Sequence, residues 1–167
     1  IPSHSGMTGE LDYESELAVV IGREGRDIPY QRAQDYIFGY TIFNDISVRD
    51  VQRRHVQWFR GKSLDGTSLM GPYIVHKSDI PYPPKLNIGS RVNGQTRQNS
   101  NTGNFIFDIS TLISDLSRGL TLKCGDIIST GTPSGVGIGF KPPRYLKHGD
   151  VVECFVEGIG TLKNTVD

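Results

Sequence analysis

The chain has 167 residues, with 18 Lys and Arg against 18 Asp and Glu, and therefore no formal net charge at pH 7. This is the length of one domain, and 36% hydrophobic residues can form a core, which excludes a disordered chain. No basic excess supports a nucleic-acid partner, and the apolar run Leu17 to Ile21 is far shorter than the roughly 20 residues that cross a bilayer. We therefore expect residues 1–167 to form a single soluble, cytoplasmic domain that does not bind a membrane.

Short β-branched and aromatic runs closed by glycine, as in AVVIG, DYIFG and DIISTG, predict a mostly β fold. The first run, Tyr13 to Gly22, contains Glu14 and Glu16. Side chains alternate along a strand, so both carboxylates share a face with Ala18. A surface strand carries such a pair for solubility alone, but a strand that is covered on both faces requires its carboxylates to be paired, protonated or bound to a cation. The apolar run that follows favours the covered strand.

Two helices are predicted in the next part of the chain. One spans Tyr30 to Phe38 and is ended by Gly39, and the other spans Ser47 to Arg54, with Ser47 as its N-cap. Between them, the apolar strand that begins at Tyr40 ends at Asp45.

The second of these helices brings polar groups close to the end of that strand. It places Arg49 and Gln52 three residues apart on one side, where they can converge with Asp45. The alternative for Asp45 is an ordinary turn residue. Asp50 and Arg53 are expected to face solvent or to pair with each other.

Glu14, Glu16 and Asp45 have no suitably spaced His or Cys beside them, so they predict an all-oxygen site. Such sites select Mg²⁺, Mn²⁺ or Ca²⁺ over Zn²⁺. The sequence has no D-x-D-x-D-G loop, which excludes an EF-hand. A Mg²⁺ ion held by a few carboxylates keeps positions for water or substrate.

The loop from Arg60 to Gly66 contains Lys62, which is either a surface charge or, beside a metal and a substrate, a group that orients an anion or moves a proton. Further along, Asn93-Gly94 predicts a hairpin between strands Ile88–Val92 and Gln95–Gln98. A third helix is predicted over Phe107 to Leu116.

Two features remain near the C-terminal end. Cys124 and Cys154 are expected to be buried free thiols, because both lie in apolar, strand-like surroundings. The loop from Ser129 to Gly139 is rich in Gly, Ser and Thr and is either a sharp turn or a cradle for a carboxylate. It ends without G-K-[ST] and is therefore not a P-loop.

Six motifs follow one another along the chain: LDYESELAVVIG, FGYTIFNDISVRDVQ, RGKSLDGTSLMGP, VNGQTRQ, DIISTGTPSGVG and LKHGDVVECFVEGIGTLKN. In this order, from Leu11 to Asn164, the chain closely resembles the fumarylacetoacetate hydrolase family. The resemblance implies a mixed β-roll of flattened sheets with a few short helices, usually dimeric, so we expect a homodimer. It also implies a Mg²⁺ or Mn²⁺ site, with Ca²⁺ as a substitute.

Matching the motifs residue by residue gives an implied site. The metal ligands are Glu14, Glu16 and Asp45. The catalytic and substrate-binding residues are Arg49, Gln52 and Lys62, and the residues that contact the acid group of the substrate are Gly131 and Thr132.

The chain departs from the family pattern at one point. Family members carry a His-x-x-Glu acid/base pair on a lid upstream of the first carboxylates, and nothing before Glu14 matches it, since His4 is followed at the third position by Met7. We expect this lid segment to have been lost from the chain. The alternative is a protein that binds a metal and a 2-oxo acid without catalysis.

The resemblance implies a reaction that passes through a metal-bound enolate. The expected function is hydrolysis of a C–C bond in acylpyruvate-type 2,4-dioxo acids such as fumarylpyruvate. The same site suits oxaloacetate decarboxylation or isomerisation of a 2-hydroxy-dienedioate, and the spacing of the residues does not separate the three reactions. The expected partner is a small 2-oxo acid.

Overall fold

A computed structural model describes all 167 residues. The ten strands are β1 (Leu11–Asp12), β2 (Ser15–Ile21), β3 (Ile37–Asp45), β4 (Ser47–Val48), β5 (Ser68–His76), β6 (Asn87–Val92), β7 (Gln95–Asn101), β8 (Ile127–Ser129), β9 (Val151–Val156) and β10 (Gly160–Thr165). The α-helices are α1 (Arg49–Arg54), α2 (Phe59–Lys62) and α3 (Ile109–Leu116). Short 3-10 helices span Tyr30–Tyr36, Lys77–Asp79, Thr102–Asn104 and Gly137–Gly139. The predicted mostly β fold with few short helices is confirmed.

Two four-stranded antiparallel sheets and one short strand pair make up the fold. One sheet has the order β5-β3-β2-β8, the other β10-β9-β6-β7, and β1 pairs with β4. Every residue of β2 is buried, so the prediction that this strand is covered on both faces is confirmed. Residues from both large sheets contribute to one core of 27 buried hydrophobic side chains. The carboxylates at the start of β2 are therefore held by a strand that cannot move without disturbing the core.

The predicted hairpin forms. Asn93 and Gly94 join β6 to β7 with φ values of 52° and 76°, as a two-residue turn with both central residues in the left-handed region requires. Strand β7 continues to Asn101, three residues beyond the predicted end. This extension places Gln98 in the middle of β7, which is an edge strand of its sheet.

The first predicted helix is wrong in type and length. Tyr30–Tyr36 is a 3-10 helix, and β3 already begins at Ile37, so Gly39 lies inside a strand. A Cβ at Gly39 would stand 2.2 Å from the backbone oxygen of Val75. This glycine therefore permits β5 to approach β3 and does not end a helix.

The second and third helices start later than predicted. Ser47 belongs to β4 and donates to the backbone oxygen of Asp45, so it does not cap α1, which begins at Arg49. Strand pairing of β4 with β1 overrides the local capping preference. Helix α3 begins at Ile109 because the Asp108 side chain accepts from the Thr111 amide at 2.7 Å.

Both cysteines are free, as predicted, but only one is buried. Cys154 lies in the core, where burial raises the pKa of its thiol to about 12. Cys124 is exposed, because it lies in the turn before β8 and not in a strand. No helix of this fold is both long enough and apolar enough to cross a membrane.

Candidate metal and substrate site

The three carboxylates that the sequence singled out come together at the ends of two neighbouring strands. Glu14, Glu16 and Asp45 each offer an oxygen atom, and these three atoms lie within 4.8 Å of one another. The pairing of β2 with β3 brings this about, since the Asp45 amide donates to the Glu14 backbone oxygen at 3.0 Å. Glu14 and Glu16 are buried and Asp45 is partly buried, so their mutual repulsion is poorly screened by water.

A positively charged side chain already lies among these carboxylates. Lys62 Nζ, at the end of α2, is 2.6 Å from Glu14 Oε2 and 2.7 Å from Asp45 Oδ2. The ammonium group shows that the cluster stabilises a cation in this position. Together with the all-oxygen donor set, this contact fits a hard divalent ion such as Mg²⁺ or Mn²⁺.

Glu16 is the carboxylate of the cluster that does not pair with Lys62. Its Oε2 accepts from Ser129 Oγ and, at 2.7 Å, from the Gly131 amide. Burial is the largest influence on this carboxyl group and raises its pKa to about 7, although both hydrogen bonds oppose the shift. Burial also raises the pKa of Asp45, against the opposing effect of Lys62. The metal-free cluster therefore has a tendency to retain a proton.

Arg49 connects the cluster to a fourth buried carboxylate. Its Nη2 lies 2.7 Å from Glu14 Oε1, and its Nε donates to Asp12 Oδ2 at 2.9 Å. Its Nη1 donates to Gln52 Oε1 at 3.2 Å, as expected for two residues on one side of α1. Arg49 thus reaches Glu14, whereas Asp45 pairs with Lys62.

Asp12 is a residue that the sequence analysis missed. It is fully buried, and besides Arg49 its side chain accepts from the amides of Gly137 and Ile138. The signal for it was present, because Asp12 has the same parity as Glu14 and Glu16 in an extended segment. It ties Arg49 to the loop that follows β8.

Asp50 and Arg53 do not pair with each other. Of the two expected alternatives, exposure to solvent holds for Arg53, whereas Asp50 is only partly exposed. Arg53 Nη2 lies 2.5 Å from Glu10 Oε2, and Asp50 accepts from Thr8 Oγ1 at 2.6 Å. Both of these partners, Glu10 and Thr8, belong to the N-terminal segment. The periodicity of the predicted helix says nothing about where that segment lies.

An open cavity of about 360 Å³ lies beside the carboxylates. It brings together the three predicted catalytic residues with one metal-ligand candidate and two further side chains: Arg49, Gln52, Lys62, Glu14, Arg53 and Trp58. Gln52 Oε1 already accepts a hydrogen bond from Arg49. The NH₂ group of the same amide is therefore the part that can donate to a ligand. The cavity thus presents hydrogen-bond donors and positive charge next to a cation site.

The predicted substrate loop is fixed to the carboxylate strand. Gly131 has φ +94° and donates its amide to Glu16, while Thr132 Oγ1 donates to the Ser15 backbone oxygen at 2.9 Å. Gly131 and Thr132 line a second cavity, of about 440 Å³, which also includes Phe105 and Phe107. Their contact with the acid group of a substrate stays a prediction.

The chain is similar to known proteins over its whole length. The family model described as "Fumarylacetoacetate (FAA) hydrolase C-terminal" matches residues 1–167. A curated relative, oxaloacetate tautomerase YisK of Bacillus subtilis, is 54% identical over 166 residues, which are 99% of this chain and 55% of the relative. The chain spans about half the length of the curated relatives it matches.

Solved structures of similar proteins also match nearly the whole chain. A fumarylacetoacetate hydrolase from Exiguobacterium antarcticum is 48% identical with a TM-score of 0.97, over 100% of this chain and 60% of that one. A fumarylpyruvate hydrolase from Pseudomonas aeruginosa, in complex with Mn²⁺ and pyruvate, is 32% identical with a TM-score of 0.88, over 96% of this chain and 67% of that one.

Removal of one carboxylate is expected to abolish metal binding. In Glu16→Ala the cluster keeps only two ligands, so we expect the affinity for Mn²⁺ to fall by at least about 100-fold in calorimetry. Glu24→Ala, which removes an exposed carboxylate elsewhere, is the matched control and should bind Mn²⁺ as the unaltered protein does. Unchanged Mn²⁺ affinity in Glu16→Ala would contradict the site.

The raised pKa of Glu16 predicts an unusual dependence of stability on pH in chelator. The folded state binds a proton more tightly than the unfolded chain, in which Glu titrates near 4.5. The resulting stability is fully present below about pH 4.5 and is lost as the pH rises through about 7. We expect the melting temperature to fall across this range, and to fall less in Glu16→Gln, which cannot ionise. An equal slope in Glu16→Gln and in the exposed control Glu24→Gln would refute the assignment.

Proposed function

This chain belongs to the fumarylacetoacetate hydrolase family, and on that premise we propose that it is a divalent-metal-dependent enzyme that interconverts the keto and enol forms of a 2-oxo acid. The observation that carries the proposal is the cluster of three carboxylates, two of which pair with Lys62, beside a cavity rich in donors. Glu14, Glu16 and Asp45 would hold Mg²⁺ or Mn²⁺, which when bound supplies a Lewis acid that stabilises negative charge on a carbonyl oxygen.

Lys62 is the residue suited to move the proton. In the enol-to-keto direction, the Lys62 ammonium would donate a proton to the carbon beside the 2-oxo group, and the neutral amine so formed would take up the proton that the enol oxygen releases. No atom is gained or lost, and the reverse direction runs the same two transfers backward. The guanidinium of Arg49 remains charged throughout and cannot play this part. Lys62 is close to two of the carboxylates and lines the cavity, which allows it to reach both a bound acid and the cation site.

Arg49 and Gln52 would hold and orient the substrate. The Arg49 guanidinium is fixed between Asp12 and Glu14, and it fixes Gln52 in turn. The free NH₂ group of Gln52 donates to a carboxylate or enolate oxygen without prior reorganisation. Trp58 borders the same cavity and covers part of a bound ligand from water.

The choice of tautomerisation rests on the relative with 54% identity, which is named an oxaloacetate tautomerase. This reaction also needs no activated water. Hydrolysis of an acylpyruvate, which the sequence analysis favoured, is the second candidate, since the Pseudomonas structure is a fumarylpyruvate hydrolase with Mn²⁺ and pyruvate. Pyruvate is the 2-oxo acid that such a hydrolysis releases.

A substrate panel tests the proposal. Enol oxaloacetate, keto oxaloacetate and fumarylpyruvate are each incubated with the protein and Mg²⁺ or Mn²⁺, and ultraviolet absorbance separates enol loss from C–C cleavage. We expect metal-dependent interconversion of enol and keto oxaloacetate that chelator abolishes. Cleavage of fumarylpyruvate without tautomerisation would favour the second candidate, and no reaction with any of the three would refute both.

Lys62→Met is expected to separate catalysis from metal binding. Because the ammonium no longer competes for Glu14 and Asp45, the affinity for Mn²⁺ should be unchanged or tighter. We expect kcat to fall by about 100-fold or more, as for loss of a proton-transferring group. Lys123→Met, at an exposed position, is the control and should keep the full rate. An unaltered kcat in Lys62→Met would place Lys62 outside the chemistry.

A further inference from the structure

Gln98 is a buried amide in the second sheet whose polar atoms are all used. It lies on β7 and is fully buried. Its Oε1 accepts from the Ser15 amide at 3.1 Å and from Ser90 Oγ at 2.8 Å. Its Nε2 donates to Thr132 Oγ1 at 2.7 Å and to the Pro133 backbone oxygen at 2.8 Å.

These bonds join the two parts of the site to each other. Ser15 stands between Glu14 and Glu16, so the bond from its amide fixes the backbone that carries both carboxylates. Thr132 and Pro133 belong to the loop that donates the Gly131 amide to Glu16. The bond from Thr132 Oγ1 to the Ser15 oxygen closes a ring of three hydrogen bonds through Gln98, Thr132 and Ser15.

Only a glutamine side chain meets all of these requirements. The position needs an acceptor for two donors and an NH₂ group for two acceptors, and an amide alone supplies both. Asparagine is shorter by one methylene, and glutamate has no NH₂ group. A buried amide that lost its partners would destabilise the fold, which is why each bond constrains the position of the others.

We propose that Gln98 is a positioning residue that sets the distance between the carboxylate strand and the loop Gly131–Pro133, and through it the affinity for the acid group of the substrate. The inference rests on the proposed function, because it takes this loop to contact a 2-oxo acid. Gln98 itself lines neither cavity, so it acts through Thr132 and Ser15.

The test uses two variants of Gln98 and pyruvate as the probe. Gln98→Glu keeps the shape and the acceptor for Ser15 but loses both donations to the loop. Methionine is of similar size to glutamine and buries no charge. Gln98→Met therefore takes the place of Gln98→Glu in the binding measurements if Gln98→Glu does not fold. Calorimetry measures Mn²⁺ binding first and pyruvate binding to the Mn²⁺-loaded protein second.

In Gln98→Glu, which keeps the acceptor for the Ser15 amide, we expect the loop alone to be affected. The affinity for Mn²⁺ should stay within about twofold, while the affinity for pyruvate falls by about tenfold. With a substrate that turns over, KM should rise by a similar factor and kcat should change less. Gln95→Glu and Gln95→Met make the same changes at an exposed position of the same strand, so they are the matched controls and should bind both ligands normally.

Three results would overturn the inference. Pyruvate binding that matches the unaltered protein would leave Gln98 with a structural role only. An equal loss of Mn²⁺ and pyruvate affinity would show a general effect on the fold, and so would unfolding of both Gln98 variants while the Gln95 variants fold.

The proposed function fails in a different way. If the unaltered protein binds Mn²⁺ and pyruvate but converts no substrate of the panel, that function is refuted, and the Gln98 comparison is still decided by pyruvate affinity. Failure of the Mn²⁺-loaded, unaltered protein to bind pyruvate would overturn both.

Discussion

The structure depends on the neutralisation of buried negative charge at the start of β2. Four carboxylates, Asp12, Glu14, Glu16 and Asp45, meet two cationic side chains, Arg49 and Lys62. When all are ionised, two negative charges remain in excess, which is the charge that one divalent cation balances. Burial, with a smaller contribution from the neighbouring carboxylates Asp45 and Glu14, raises the pKa of Glu16, so the cluster has a tendency to hold a proton when no ion is bound. A bound divalent cation would compete with that proton.

The sequence predicted the part of this site that follows from local periodicity. Alternation along an extended strand placed Glu14 and Glu16 together, and the end of an apolar run placed Asp45 beside them. The roles of Lys62 and Thr132 came from the family resemblance and not from the pattern. The mostly β fold was also predictable, because short runs that end in glycine have few other interpretations.

The rest depends on contacts between residues far apart in the chain. Asp12 meets the Gly137 amide across 125 positions, and Ser15 meets Gln98 across 83. Serine is a residue type that often caps helices, yet the conformation of Ser47 is determined by strand pairing with Asp12. For Ser47 a tertiary contact outweighs a capping preference worth about 1 kcal/mol, and in all three cases no local pattern reveals which contact will form.

The placement of Lys62 has a consequence for ion selectivity. An incoming ion must take over the contacts that the ammonium makes with Glu14 and Asp45. Potassium or sodium would exchange one unit of charge for another and would lose hydration in doing so. A doubly charged ion brings one unit more than it displaces, so the exchange favours it electrostatically. If the site binds a metal as proposed, Lys62 would thereby compete with monovalent ions and favour a divalent one.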